Sequence, residues 1–198
     1  MNNYNHSESS NKKKILCIAG MSGSGKTIAS QYIQNHYGIR IIESYTDRFK
    51  REDNEVGHKF VTPEEYDKFK LEDMIAYTKF GNNRYCCLKD DVQDYNTYVI
   101  DETGIRYLKE HFSDEYDIKT LWIESSDKER YKRLEKEYGI FEAINRMDRD
   151  GARDFLPSKD YDYNILNDYA FDILIQELDN IVFDWLHNDY AEMVERWR

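Results

Sequence analysis

The chain has 198 residues, 40% of them hydrophobic and 34% charged, with 28 Lys and Arg against 39 Asp and Glu, a formal net charge of -11. Such a length fits one domain with room for an inserted lobe. The acidity argues against a non-specific nucleic-acid binder, whose affinity comes from neutralising phosphates, and no apolar run approaches the roughly 20 residues of a membrane span. Three cysteines, two of them adjacent (Cys86, Cys87), make neither a disulfide framework nor a zinc site, so a reducing cytoplasm is expected.

Residues 1–11 are polar, carry no apolar core of a secretory signal, and read as a disordered tail. Ile15 to Ala19 is a short apolar run that stops at Gly20, as expected for a strand buried on both faces. A glycine-rich turn precedes a helix over Thr27–His36, which Gly38 ends, and Ile39–Glu43 reads as a second strand. Ser44 to Lys59 is charged and irregular. Thr62-Pro63-Glu64-Glu65 supplies an N-cap, a proline at the first helical position and a capping-box glutamate, predicting a helix to about Tyr77.

Tyr98-Val99-Ile100 is another apolar run, closed by Asp101, and Ile105, Leu108 and Phe112 follow at helical spacing. Thr120–Ile123 predicts a strand. Ser126 with Glu129 opens a helix that Gly139 ends, and Ile140–Asp154 is charged and helical in tendency. Tyr163–Leu166 reads as the last strand. From Phe171 onward, Leu174, Ile175, Leu178, Ile181, Val182, Trp185 and Leu186 keep the 3.6-residue period of a long amphipathic helix. Strands alternating with helices predict an α/β fold with a mainly parallel sheet.

Gly20-Met21-Ser22-Gly23-Ser24-Gly25-Lys26-Thr27 fits G-x-x-x-x-G-K-[ST] between a predicted strand and a predicted helix. Glycines let the backbone curl so that successive N–H groups face a phosphate, and the helix aims its positive end at the same anion. Gly20, Ser22, Gly23, Ser24, Gly25, Lys26 and Thr27 are therefore the expected ATP-binding residues, Lys26 reaching the β- and γ-phosphates and Thr27 holding Mg²⁺. Asp101, at a strand end, is the second metal candidate; a plain loop aspartate is its bland alternative. Arg48 and Arg51 lie three residues apart in an acidic chain and suit a phosphate clamp, although two solvated arginines pairing with Asp47 and Glu52 would look alike.

With these residues in place the chain resembles the guanylate kinase family. The resemblance runs through the phosphate loop, then Ser44, Thr46, Arg48, Arg51, Gly57, Phe60, Val61, Glu65 and Tyr66, then Gly81-Asn82-Asn83-Arg84-Tyr85, Val99-Ile100-Asp101 with Gly104, Ile144-Asn145-Arg146-Met147 and Tyr161–Asp168. It implies a P-loop NTPase three-layer sandwich with a mainly parallel sheet, an acceptor-binding lobe and a helical lid. Within a single domain over 12–198, the core would take 12–43, 96–136 and 161–198, the acceptor lobe 44–95 and the lid 137–160. The implied activity is transfer of the γ-phosphate of ATP, with Mg²⁺, to a (deoxy)nucleoside monophosphate, GMP or dGMP first. Ser44, Arg48, Arg51 and Tyr85 would hold the acceptor phosphate, Arg133 and Arg146 the transferring phosphoryl group, and Asn167 would lie near adenine. Arg149, one helical turn from Arg146 on the same face, joins the catalytic candidates, as does Lys26.

The departures concern the base. Ile75-Ala76-Tyr77 holds no acid where the family carries a guanine-reading glutamate, leaving Glu102 as the nearby substitute, in reading the base or serving the metal. His58 replaces a tyrosine and is either a ligand contact or a polar loop histidine. Asp47 replaces a threonine. Adjacent Cys86 and Cys87 read as ordinary buried thiols rather than a redox pair. Arg130 and Arg133 share a helix face, a pattern equally given by solvated side chains. Three readings stay open: a nucleotide kinase, a related kinase of a phosphorylated sugar, and a silent guanylate-kinase-like binding module. The expected partners are small nucleotides, not membranes or nucleic-acid polymers, for a monomer or homodimer.

Overall fold

The computed structural model describes residues 12–50, 53, 55, 57–152 and 158–195, with side chains described to residue 187, that of Ser158 excepted. The expected tail 1–11, Arg51 and part of the expected lid 137–160 lie outside the described residues. In chain order the elements are β1 (Lys13–Ala19), α1 (Lys26–Tyr37), β2 (Arg40–Ile41), β3 (Ser44–Thr46), β4 (His58–Phe60) and α2 (Pro63–Tyr66). Then come β5 (Met74–Phe80), β6 (Asn83–Leu88), β7 (Tyr95–Val99), α3 (Glu102–Phe112), β8 (Tyr116–Glu124), α4 (Asp127–Tyr138), α5 (Ile140–Gly151), β9 (Tyr163–Leu166) and α6 (Phe171–Glu195).

One sheet has five strands in the order β2-β7-β1-β8-β9, every neighbouring pair parallel. β1 is central, so Ile15, Leu16, Cys17 and Ile18 are all fully buried, which is why that run is apolar without alternation. Its two faces feed two apolar clusters. Ile15 and Cys17 pack with Ile105, Leu108 and Phe112 of α3, whereas Leu16 and Ile18 pack with Ala29 and Ile33 of α1 and Leu174, Leu178, Val182 and Trp185 of α6. Helices thus cover both faces of a parallel sheet, an α/β sandwich.

A second, four-stranded sheet has the order β4-β3-β6-β5, with all its strands drawn from Ser44 to Leu88. Here the structure corrects the expected helix over 63–77. The Thr62 capping box forms as read, but the helix it opens ends at Tyr66, and Met74–Phe80 is a strand. Met-Ile-Ala-Tyr-Thr-Lys-Phe pairs antiparallel with β6 through a two-residue Gly81-Asn82 turn, where Gly81 takes φ 60°. The capping signal fixes where a helix starts but says nothing of its length, and the hairpin turn outweighs it beyond Leu71. Similarly, Ile39–Glu43 contributes only Arg40–Ile41 as strand, while the segment read as irregular contains β3 and β4. Cys86 and Cys87 point to opposite faces of β6, into separate apolar clusters.

Candidate functional site

Between β1 and α1 the glycine-rich loop wraps the start of the helix. Gly23 and Gly25 take positive φ, 77° and 106°. α1 begins with no side-chain cap and no acidic residue in its first turn, so its N-terminal N–H groups are left for an anion. The Lys26 ammonium donates to the carbonyls of Gly20 and Met21, both at 2.8 Å. Asn167, following β9, donates its amide to Ser24 O at 2.8 Å. Arg133 of α4 donates to Gly23 O at 3.1 Å, Ser125 Oγ at 2.9 Å and Asn167 O at 2.6 Å. Within the loop Ser24 is fully buried, and Ser22 is held by Asp150.

A cavity of about 260 Å³ runs from this loop into the second sheet. Gly20 and Lys26 line it from one side, Ser44, His58, Tyr77, Thr78 and Tyr85 from the other, and Tyr98 and Asp101 from the end of β7. Ser44 Oγ and the Tyr98 hydroxyl pair at 2.7 Å; burial pushes the Tyr98 phenol far up, so it stays neutral. Tyr85 and His58 rings lie 5.5 Å apart. Asp101 caps α3 through Gly104 N–H at 2.8 Å and accepts from Thr78 Oγ1 at 3.2 Å. Asp101 supplies the one carboxylate of the lining among the described residues.

The structure separates some of the residues the sequence grouped together. Glu102 does not line the cavity. It is buried on α3 and accepts from the Tyr161 hydroxyl at 3.3 Å, because side chains at successive helical positions diverge by about 100° and Asp101 already faces the cavity. Arg48 is largely buried and paired with Glu55, at 2.8 Å and 3.1 Å; that bond raises its pKa further. Arg146 and Arg149 both donate to Glu142, at 2.9 Å and 2.8 Å, and Arg146 also stacks on Tyr138. Neither lid arginine lines the cavity. Asp47 is not a loop partner of Arg48: it holds Arg84 N and Nε at 2.7 Å and 2.6 Å. Burial alone would raise the Asp47 pKa, but these bonds hold it below its ordinary value.

Sequence reasoning missed Arg130. It is 2% exposed and reaches the loop at Ser22 O, 2.9 Å away. Its only sequence signal was the face it shares with Arg133, which solvated arginines also give.

Among the described residues no group of three or more His, Cys, Asp or Glu could hold a metal by itself. What the site offers is two hard oxygens, the exposed Thr27 hydroxyl and Asp101. That donor set fits Mg²⁺, which keeps several waters and is completed by substrate phosphates, and does not fit a soft metal. No helix among the described residues is long and apolar enough to cross a membrane.

The comparisons with known proteins bear on the fold. The chain superposes on the solved guanylate kinase of Anaplasma phagocytophilum with a TM-score of 0.57 and 22% identity, over 89% of this chain and 86% of that one. The fold is guanylate-kinase-like. A curated guanylate kinase from Fusobacterium nucleatum is 32% identical over 83 residues, 40% of this chain. The match spans 45% of that relative, less than half its length. An uncharacterised protein from Eubacterium ventriosum superposes at a TM-score of 0.46 and 15% identity, over 85% of this chain and 99% of its own, too distant to bear on function. No family model matches the chain.

Proposed function

We propose that the chain is an ATP-dependent nucleoside monophosphate kinase, with GMP or dGMP as first acceptor. One observation carries this reading: the phosphate loop and the second sheet open into the same cavity, so Lys26 and Ser44, His58, Tyr85 line one space. A transferase of this kind gains most of its rate from positioning and charge neutralisation, which a shared cavity supplies. A silent module would not need Lys26 at its mouth.

In this reading residues 12–43, 96–136 and 161–198 form the core, residues 44–95 the acceptor lobe and 137–160 the lid. The loop N–H groups, Lys26 and Asn167 hold ATP, Thr27 and Asp101 hold Mg²⁺, and Ser44, Arg48, Arg51 and Tyr85 hold the acceptor phosphate. Mg²⁺, when bound, neutralises charge on the β- and γ-phosphates. Arg133, already folded onto the loop, neutralises the transferring group. Arg146 and Arg149 would have to leave Glu142 to do the same. His58 and Tyr85 form an aromatic wall for the base.

Asp101 has a second reading, favoured by its bond from Thr78 on the acceptor side. Its carboxylate can accept from the N–H edge of a base rather than serve the metal. Asp101→Asn separates the two: a metal role depresses every acceptor alike, a base role changes the order of preference. Ala76 and Tyr77 line the cavity without an acid, at positions that the resemblance matches to the family's glutamate, so we expect turnover of at least one acceptor besides GMP and dGMP, within about 10²-fold in kcat/KM.

The deciding experiment is ADP release over the common ribo- and deoxynucleoside monophosphates, with Lys26→Ala as control. Lys26→Ala should stay folded and lose on the order of 10²-fold or more in kcat. No turnover with any acceptor would leave the silent module; turnover confined to phosphorylated sugars would move the chain to that class of kinase.

A further inference from the structure

Ser22, the third residue of the phosphate loop, is held at every polar atom by one buried ion pair between α4 and α5. Asp150 of α5 accepts from Ser22 N at 2.6 Å and from Ser22 Oγ at 3.2 Å. Arg130 of α4 donates to Ser22 O at 2.9 Å and to Asp150 Oδ2 at 2.5 Å. The two side chains are 3% and 4% exposed. Arg130 also reaches Asp127, at 2.8 Å. Just beyond Ser22, Gly23 presses against α4 so closely that a Cβ there would lie 3.0 Å from Arg130 O and Leu134 Cγ.

A buried ion pair is a poor way to gain stability. Desolvating both charges costs about what their attraction returns, and a well-packed apolar pair of similar volume is often equal or better. Its geometry here serves a different end. Backbone N–H and C=O of a single residue are fixed by two helices, α4, which lies mostly in the core segment, and α5, which lies in the segment read as the lid. The loop must present its N–H groups in one arrangement to hold a phosphate, and an error near 1 Å in such positioning costs on the order of 10²-fold.

We infer that Arg130 and Asp150 are positioning residues for the donor nucleotide: the pair clamps the phosphate loop at Ser22 and ties its conformation to helices α4 and α5. The inference rests on the proposed nucleotide site and deepens it. The clamp acts through Ser22 rather than through contact with ATP, so it should govern donor binding and leave the acceptor lobe alone.

Removing one partner would strand a buried charge and threaten folding. The test therefore uses the double substitution Arg130→Met with Asp150→Leu, beside Asp150→Asn. Urea unfolding of the double variant should match or exceed wild type. Two readouts then follow. In the ligand-free protein, amide hydrogen exchange at Ser22 should be slow in wild type and faster by about tenfold or more in the double variant, since its acceptor Asp150 is gone. By calorimetry, ATP should bind about tenfold or more weakly, with GMP affinity within about twofold of wild type.

Unchanged exchange in a folded double variant overturns the clamp, whatever the protein binds. Tighter ATP binding in Asp150→Asn or the double variant also overturns it, because Asp150 would then be a competitor for the phosphate rather than a brace. A parallel loss of ATP and GMP affinity reduces the pair to general packing and overturns it too. Failure of wild type itself to bind ATP sinks the kinase reading, while the exchange measurement still decides the clamp.

Discussion

Gly25→Ala tests the donor site where its geometry is tightest. Gly25 sits at φ 106°, and a Cβ there would lie 2.5 Å from Asn167 Nδ2. A side chain in a left-handed or more strained backbone region costs about 1–3 kcal/mol. The clash cannot be relieved by the backbone without moving the start of α1, so the Asn167 side chain must swing away. That breaks its bond to Ser24 O, at 2.8 Å and buried, worth about 0.5–1.5 kcal/mol. The sum is a loss of about 1.5–4.5 kcal/mol, read by urea unfolding, with ATP affinity falling in parallel as the loop opens. Asn167→Ala removes both the obstacle and the bond, so the double variant should cost clearly less than the two single losses added. A Gly25→Ala variant within about 0.5 kcal/mol of wild type, or strictly additive with Asn167→Ala, would refute the packing of Asn167 on the loop.

Arg48→Ala should raise the acceptor KM about tenfold or more and leave the ATP KM nearly unchanged, whereas Glu55→Gln should lower the acceptor KM; steady-state kinetics with each substrate varied checks both. Stability should fall in acid, because Asp47 and Asp162 titrate below their ordinary value of 3.8 in the folded chain. Burial alone would raise both pKa values, but Arg84 and Thr120 respectively outweigh it. Groups with depressed folded pKa values contribute fully above the unfolded pKa, near 4, and lose that contribution as pH falls through the folded values. Urea midpoints from pH 7 to 3 should show it, with a shallower fall in Asp47→Asn. The three thiols should be silent to a disulfide reagent in the native protein at pH 8 and all react in urea, since burial pushes Cys17 up to about 12 and raises Cys86 and Cys87 as well; fast native labelling of the Cys86–Cys87 pair would revive the redox reading.

What the sequence made legible was local and covalently fixed. A phosphate loop is written in eight consecutive residues, and β1 announces itself because a central parallel strand needs apolar side chains on both faces. The β5 strand was hidden because the strong Thr62 capping box precedes it by a dozen residues, and a cap says nothing of what ends the helix. The Asp101 and Glu102 roles were hidden for a different reason. Both are acids at one strand end, and only the turn into α3 decides that one faces the cavity and the other Tyr161. Arg130 and Asp150, twenty residues apart, meet only because α4 and α5 fold back on each other around Gly139. No spacing rule connects them.

Four of the arginines share a property with consequences for any phosphate ligand. Arg48 is paired with Glu55, Arg130 with Asp150, and Arg146 and Arg149 with Glu142. In a chain of net charge -11, a buried guanidinium without a carboxylate would carry an uncompensated desolvation penalty, so pairing stabilises the ligand-free form. In the proposed acceptor site, a phosphate at Arg48 would exchange for Glu55 instead of meeting a vacant cation. The hydrogen-bond count is nearly conserved in that exchange, and the gain comes from the extra charge of a phosphate ester, about -1.5 to -2 near pH 7, against -1 for the carboxylate. Singly charged anions gain little by the same exchange. If Arg48 holds the acceptor phosphate as proposed, its pairing with Glu55 would favour dianionic phosphates, and affinity would fall as the second phosphate proton binds near pH 6. Arg130 differs: its carboxylate partner is itself bonded to the loop N–H, so exchange there would release the loop, which is why that pair reads as a brace and the Arg48 pair as a gate.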